Sequence, residues 1–355
     1  MTLQTPDGIF SMDGLVTAPG STSADISAKE WAIRLAPYRT ANFRLAIFDL
    51  AVTLLPFFGL IGVGVWLLSI SYWLAPLVWV PAAFFLVRVF IIQHDCGHGS
   101  YFSSKRLNDL VGMGLSAFTV TPYHVWKQAH KQHHAGAGHL DKRGIGDVYT
   151  MTVEEYRSAG LLGRFGYRLF RNPLTLFALG PAFIFMLQNR IPVEFMGNRG
   201  YWASAMGTNL GIVALGALMI WTVGVAPVFF VVLPTTILAA TIGVWLFYVQ
   251  HQFEETHWSG PDEWQVQHAA LHGSSYYDLP SPFDWLTGYI GVHHVHHLNS
   301  RIPSYRLPEV MGDYPELANI NRLTVGSSLK SINLHLWDEE RAKLVTFADA
   351  RMGSR

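Results

Sequence analysis

Four long apolar segments constrain this chain more than any other feature of its sequence. They cover residues 45–70, 73–92, 203–224 and 226–249, and Asp49 is the only acidic residue in them. A helix needs about 20 apolar residues to cross a hydrocarbon core of about 30 Å, so each segment is long enough. Within each pair, only a short turn separates the two segments. We therefore predict an all-α integral membrane protein with four transmembrane helices arranged as two hairpins.

The composition agrees with a membrane protein. Hydrophobic residues make up 50% of the chain and charged residues only 14%, which is too apolar for an ordinary soluble domain. The net charge is zero, so no overall positive charge favours nucleic acid as a partner. The polar segment 1–26 is predicted to be a disordered tail, and residues 27–355 to form one membrane domain.

Two shorter apolar stretches are harder to interpret. Residues 110–122 are rich in glycine and suit a re-entrant or interfacial segment. Residues 173–187 are also short, and Pro181 interrupts them, so we predict that they do not cross the membrane. A crossing there would place the histidine clusters before and after it on opposite sides of the membrane.

Histidines form three clusters beside the ends of the apolar segments. Residues three and four apart share one face of a helix, so the rings within each cluster point in one direction. The eight imidazoles exceed the four to six ligands of one transition metal, which predicts two metals in a shared site. The predicted ligands are His94 and His98; His130, His133 and His134; and His293, His296 and His297.

Imidazole binds iron, zinc, copper and nickel alike, so the ligands alone do not identify the metal. A zinc hydrolase of the H-E-x-x-H type needs a glutamate beside its first ligand, and only Asp95 could take that role here. A transporter would place its polar ligands near the middle of the spans, whereas these histidines follow the span ends. Both classes therefore fit poorly.

The basic residues predict the orientation in the membrane. Lysine and arginine are absent from residues 45–87 and 200–300, so in a four-span topology all 25 of them fall on the face that carries the histidine clusters. The positive-inside rule places this face in the cytoplasm. The lone cysteine, Cys96, allows no internal disulfide and suits a reducing compartment.

The clusters read H-x-C-G-H, H-x-x-H-H and H-x-x-H-H, and in this order they resemble the three histidine boxes of the membrane fatty acid desaturases. The resemblance covers roughly residues 30–345. It departs from the pattern at His272 and Ser300, where lysine and proline are expected, and neither lies in a box. Four further stretches resemble the bacterial acyl-lipid branch of this family: residues 146–149, 248–253, 273–277 and 301–305.

The resemblance implies a non-haem centre of two iron ions, activation of O₂, and insertion of a cis double bond into an acyl chain of a membrane lipid. The chemistry is consistent, because an unactivated methylene chain yields its hydrogens to neither an acid nor a base. Two irons with open positions can supply the oxidant from O₂ and two electrons. The sequence contains no nicotinamide, flavin, haem or iron–sulfur motif, so we expect a separate electron donor such as ferredoxin or a cytochrome.

We predict His251 as a ninth ligand, because it follows the fourth span at the same depth as the first cluster. The rival pair, His268 and His272, has the i, i+4 spacing of ligands but lies in a polar segment far beyond that span. Gln250 is predicted to orient His251 through a hydrogen bond.

The roles of two further residues stay open at this point. Asp147 either orients a ligand or caps a turn. His294 shares part of the face of His297, so spacing alone does not exclude it as a ligand, although the resemblance favours His293. Residues 337–343, beyond the last cluster, read as a charged helix.

The sequence leaves two other functions open. On the same scaffold, hydroxylation, epoxidation or ketolation could replace desaturation. A metal-binding membrane protein without redox chemistry is the alternative from another class. Chain length, double-bond position and acyl carrier depend on a tunnel that the sequence does not reveal. The expected location is the bacterial inner membrane, with the site on the cytoplasmic side.

Overall fold

The computed structural model describes residues 26–144 and 147–352, so the predicted tail lies outside the described residues except for Ile26. Helices dominate the described part. They are α1 Ala28–Arg34, α2 Phe43–Ile70, α3 Pro76–His98, α4 Lys105–Leu115, α5 Tyr123–Gly136, α6 Val153–Ser158, α7 Leu161–Phe170, α8 Gly180–Met186, α9 Arg199–Val223, α10 Leu233–His251, α11 Val266–His272, α12 Phe283–Leu286, α13 His293–Leu298, α14 Leu307–Asp313, α15 Val325–Ser328 and α16 Asp349–Met352.

Four short strands accompany the helices. The prediction of an all-α fold is therefore right for most of the described chain but missed these strands. They are β1 Tyr276–Asp278, β2 Arg322–Thr324, β3 Leu336–Asp338 and β4 Lys343–Val345. β1 pairs in parallel with β2, and β3 pairs in antiparallel fashion with β4. The prediction of a charged helix over residues 337–343 is wrong, because this stretch contains the end of β3, the turn over residues 339–342 and the start of β4.

Five segments are long and apolar enough to cross a membrane: Phe43–Ile70, Pro76–His98, Thr175–Phe195, Arg199–Val223 and Val228–His251. Four of them are the predicted spans. The fifth, Thr175–Phe195, overlaps the apolar stretch 173–187, which the sequence predicts not to cross the membrane. It continues beyond the end of that stretch, to Phe195.

This fifth segment is irregular along its length. It begins as a π-helical turn over Thr175–Leu179, continues as α8, and breaks into short 3₁₀ turns at Gln188–Arg190 and Val193–Phe195. The Arg190 guanidinium donates to the Val120 and Phe185 carbonyls and, at 2.9 Å, to Asn209 Oδ1. Arg190 therefore satisfies the Phe185 carbonyl beside the break and the Val120 carbonyl of another segment, as an apolar environment requires.

Helix α3 is the most buried of the long helices and packs between α2 and α10. Protein covers 56% of its most apolar stretch, against 11% for α9. It ends at Gly99, whose φ of 68° is the left-handed conformation that terminates a helix and that glycine adopts without steric cost. This ending places the first histidine cluster in the last two turns of α3.

The two charged residues within the first apolar pair bind each other. Arg88 on α3 forms an ion pair with Asp49 on α2 and donates to Thr53 Oγ1 at 2.9 Å. Tyr101 donates to the second Asp49 oxygen at 2.9 Å, and the Arg88 guanidinium lies 4.2 Å from the Trp285 ring centroid. Charges at this depth persist only when paired, so this network fastens α2, α3 and the segment before α13 together.

Helix α7 exposes a continuous apolar face. Leu161 and Leu162 are 84% and 86% exposed, and Phe165 and Leu169 follow on the same side. The opposite side is anchored to the rest of the chain, because Tyr167 is buried and Met151 N donates to its hydroxyl at 3.1 Å.

Candidate metal centre

The histidine-bearing helices end or begin at one place. His94 and His98 occupy the last turns of α3, and His251 is the final residue of α10. The second cluster lies on α5, and α13 begins at His293. Because α3 and α10 pack side by side, their ends bring the first cluster and His251 to a common level.

The nine histidines predicted as ligands form two groups, and within each group one nitrogen of every ring lies within 4.8 Å of all the others. The five-histidine group draws on α3, α5 and α13, and the four-histidine group on α5, α10 and α13. The first contains His94, His98, His130, His134 and His296, and the second contains His133, His251, His293 and His297.

Distances between ring nitrogens fit a metal at the centre of each group. In the four-histidine group, His251 Nε2 lies 3.1 Å from His133 Nε2 and 3.0 Å from His293 Nε2. In the five-histidine group, His134 Nε2 lies 3.0 Å from His130 Nε2 and 3.2 Å from His296 Nε2. Nitrogens bound at about 2.0–2.1 Å to one metal lie about 3.0–3.4 Å apart, for octahedral to tetrahedral angles.

The protonation state of the rings also suits ligation. Six of the histidines on α5 and α13 belong to the two groups. Burial, followed by the neighbouring imidazoles, holds the pKa of these six well below its ordinary value. Neutral imidazoles carry the lone pair that a metal needs. Among the described residues, His94 Nε2 and His98 Nε2 are buried without a hydrogen-bond partner. Buried nitrogens of this kind are costly unless they bind something, and a metal ion would satisfy them.

An apolar cavity of about 280 Å³ leads to both groups. His94 and His130 of the five-histidine group line it together with His293 of the four-histidine group. Along α10 its lining extends from Gln250 to Thr236, a depth of about 21 Å at 1.5 Å per residue. Apart from the histidines, most of the lining residues are aliphatic or aromatic, which suits a long hydrocarbon chain.

Trp126 lies where the cavity meets the metal centre. Its ring stacks on His130 with centroids 4.5 Å apart, and it also contacts His94. Gly97 provides space for this ring, since a Cβ added there would lie 2.9 Å from Trp126. Trp126 was not predicted from the sequence, although it lies four residues before His130 and so shares its face of the helix.

Comparison with known proteins agrees with this geometry. A family model described as "Fatty acid desaturase" matches residues 71–324. A fatty acid desaturase of Bacillus subtilis is 39% identical over 319 residues, covering 90% of each chain. An sn-1 oleoyl-lipid 12-desaturase of Anabaena variabilis is 27% identical over 283 residues, covering 72% of this chain and 75% of its own. The chain belongs to the fatty acid desaturase family.

The other three residues considered from the sequence, Gln250, His294 and Asp147, form their hydrogen bonds away from the nitrogens of the two groups. Gln250 Nε2 donates to the Ile290 carbonyl at 2.9 Å, so it fastens the segment before α13. His294 Nε2 lies 3.0 Å from the Leu317 carbonyl. Asp147 accepts from Val148 N at 2.6 Å, and burial raises its pKa to about 6.

Among the described residues, no hydrogen bond joins any of these three side chains to a histidine of the two groups. The orienting role predicted for Gln250 and the roles left open for Asp147 and His294 stay predictions. From the sequence, Asp95 was considered only as a possible base. In the structure it contacts His94, and its Oδ1 lies 3.1 Å from His94 Nδ1.

The rival pair lies apart from the centre. His268 and His272 on α11 have ring centroids 4.5 Å apart, and His268 is 4.6 Å from His257. None of these three residues belongs to the five-histidine group or the four-histidine group. The i, i+4 spacing of His268 and His272 thus produces a neighbouring pair without placing it at the cavity.

Proposed function

We propose that this protein is an O₂-dependent fatty acyl desaturase that inserts a cis double bond into acyl chains of membrane lipids. The observation that carries the proposal is the apolar cavity that ends at histidines of both groups in a member of the fatty acid desaturase family. The nine histidines of the two groups are proposed to hold two iron ions. When bound, these ions supply the oxidising power that removes hydrogen from an unactivated methylene group.

The overall reaction balances with an external reductant. Two adjacent methylene groups lose one hydrogen each, and a carbon–carbon double bond forms between them. The two hydrogens, two electrons from the donor and two protons reduce one O₂ to two water molecules. Since the sequence carries no redox cofactor motif, the electrons come from a separate protein such as ferredoxin or a cytochrome. A chloroplastic relative in Helianthus annuus, 27% identical, has ferredoxin in its name.

The residues of the chain position the substrate and exclude water. The aliphatic walls supplied by α3 and α10 hold the acyl chain extended and dry. Trp126 and Phe247 line the cavity near the histidines, and Phe247 has its ring 5.1 Å from His133 and 5.2 Å from His251. These two rings therefore confine the methylene groups that face the metal centre.

We further propose four spans in two hairpins with the metal centre in a cytoplasmic helical cap. The contacts between α5 and α13 support an even number of crossings between them, because histidines of both helices share each group. Of the three long segments that separate these helices, Thr175–Phe195 is the irregular one and is the one that does not cross. The distribution of basic residues supports the cytoplasmic side, and the relative in Bacillus subtilis supports a bacterial membrane, which we propose to be the inner membrane.

Expression in a heterologous host with a compatible electron donor tests the activity. Fatty acid profiling should show a new cis double bond in membrane lipids, and only in the presence of O₂. A variant with His133 and His297 both changed to alanine is the control, since it lacks half of the four-histidine group. Hydroxylated or epoxidised lipid without an alkene would establish the related reaction instead. Unchanged lipids, with zinc rather than iron in the purified protein, would contradict oxidative chemistry.

A further inference from the structure

The segment 301–305, which follows the third histidine cluster, contacts the end of α3. Its Ser304 backbone N–H donates to Asp95 Oδ2 at 2.6 Å, across 209 positions of the sequence. Tyr305 donates to the Tyr101 carbonyl at 3.0 Å and accepts from Asn42 N at 3.0 Å. These contacts of Ser304 and Tyr305 hold the segment against the end of α3 and the start of α2.

Asp95 also contacts a residue of the five-histidine group. Its side chain is buried, and Oδ1 lies 3.1 Å from His94 Nδ1. Within residues 26–144 and 147–352, this is the one pair in which a carboxylate lies within 4 Å of a histidine nitrogen. Each carboxylate oxygen thus has one donor, Ser304 N–H for Oδ2 and His94 Nδ1–H for Oδ1.

This contact sets the protonation and direction of the His94 ring. A carboxylate accepts only, so Nδ1 carries the proton and the lone pair lies on Nε2. Nε2 is the nitrogen that is buried without a hydrogen-bond partner in the described part of the protein. A ring held by its Nδ1–H cannot rotate about χ2 without losing that bond, so Nε2 stays directed into the five-histidine group.

Charge gives the carboxylate a second effect. The nine imidazoles of the two groups are neutral ligands, so they leave the charge of two metal cations uncompensated. Asp95 places one negative charge a single imidazole ring away from the five-histidine group. This charge makes His94 a stronger donor to a cation than a histidine bonded to a neutral carbonyl.

We propose that Asp95 is a positioning residue for His94 and that the backbone of Ser304 holds the Asp95 carboxylate in place. The chain Ser304–Asp95–His94 links the segment after the third cluster to the first cluster. The inference rests on the proposed function only for the identity of the metal. Its subject is metal affinity at the five-histidine group, which is measured without turnover.

The test uses the full-length purified protein loaded with Co²⁺, whose visible absorption reports the ligand geometry. Asp95→Asn keeps one acceptor oxygen but replaces the other with an amide N–H₂, which opposes one of the two donors. Loss of such a partner typically lowers metal affinity about 10–100-fold, and we expect this loss for one of the two metals together with an altered Co²⁺ spectrum. The other metal should stay bound at the affinity of the unsubstituted chain.

A matched pair of substitutions at Ser304 tests the second link. Ser304→Pro removes the backbone N–H, and proline fits because the position begins a 3₁₀ turn after an extended residue, Pro303. Ser304→Ala keeps the N–H. We expect weaker metal binding in the proline variant and not in the alanine variant. In a protein that also carries Asp95→Asn, Ser304→Pro should cause no further loss, since it acts through the carboxylate.

Unfolding of the metal-free variants separates positioning from folding. Equal unfolding temperatures with unequal Co²⁺ affinities would support the proposal, and an affinity loss in proportion to lost stability would overturn it. Two Co²⁺ ions bound by Asp95→Asn at the original affinity, with an unchanged spectrum, would also overturn it. A protein that binds both metals with the expected variant pattern, yet forms no double bond, would refute the proposed function and leave this inference standing.

Discussion

His251 completes the four-histidine group from the end of α10. We predict that His251→Ala abolishes desaturation and lowers the metal content from two ions to one, because it leaves that group three ligands. Elemental analysis of the purified protein and fatty acid profiling measure the two effects. The double variant His268→Ala/His272→Ala is the control and should retain both metals. Full metal content and activity in the His251 variant would contradict the assignment.

At the residue scale, spacing within a helix predicted the eight histidines of the three clusters, because rings three and four apart must share a face. His251 was predicted instead from its depth at the end of the fourth span. The partners of those rings were beyond the reach of spacing. Ser304, whose N–H fixes Asp95, is remote in sequence. The Nε2 of Gln250 donates to the Ile290 carbonyl, a partner that its adjacency to His251 does not reveal.

Among the elements, α10 forms one wall of the cavity, and Gly243 lies on that wall. A Cβ added at Gly243 meets no atom within 4 Å, so a larger side chain would occupy the cavity rather than disturb the helix packing. We predict that Gly243→Leu lowers activity on long acyl chains about tenfold by displacing about two methylene groups, each worth about 0.8 kcal/mol.

The control for this variant is Gly216→Leu on α9, where an added Cβ also meets nothing and which lies outside the cavity lining. Substrates of graded chain length measure the effect, with metal content determined in parallel. Equal activity of the Gly243 variant on short and long chains, with both metals bound, would show that the acyl chain lies elsewhere.

The exposed apolar face of α7 predicts a helix that lies flat in the cytoplasmic surface of the bilayer. A spin label on Leu162→Cys should be more accessible to O₂ than to a water-soluble nickel complex. A label on Glu340→Cys, in the turn between β3 and β4, should show the reverse. Native Cys96 is fully buried, so the unsubstituted protein gives the background. A label at position 162 shielded from both reagents would indicate a protein partner instead.

The long apolar elements could be predicted because length and hydropathy decide a span, whereas two other elements depended on distant contacts. In the segment Thr175–Phe195, Arg190 donates to the Phe185 carbonyl of the segment itself and to the Val120 carbonyl of a distant segment. Near the C-terminus, Trp337 is buried with its ring 5.2 Å from Trp258, and Asp338 accepts from Arg341 N at 3.1 Å. A turn that fixes a buried tryptophan outweighs the helix propensity of the charged residues in it.

For the whole molecule, the proposed topology makes a direct prediction. Reporter fusions after residues 45, 125 and 300 should all report the cytoplasm, and fusions near residues 71 and 225 the opposite side. Enzymatic reporters active on one side only measure the location. A fusion at residue 300 on the side opposite to one at residue 125 would mean that Thr175–Phe195 crosses the membrane.

Stability of the metal-free protein should depend on pH. The six histidines that α5 and α13 contribute to the two groups have a pKa in the folded state well below the ordinary value of 6.5, because they are buried among each other. The unfolded chain therefore takes up protons that the folded one does not as the pH falls below about 6.5. We expect the unfolding temperature to fall steadily from pH 7 to pH 5, and a constant value over this range would contradict the burial of these rings.

Both histidine groups depend on α13, which brings a consequence for the synthesis of the protein. His94 leaves the ribosome about 200 residues before His293, which corresponds to about 10–40 seconds at typical elongation rates. During this interval the long apolar helices can already enter the membrane, while neither group has its full set of nitrogens. We therefore expect a nascent chain that is stalled before residue 293 to be inserted into the membrane with both histidine groups incomplete.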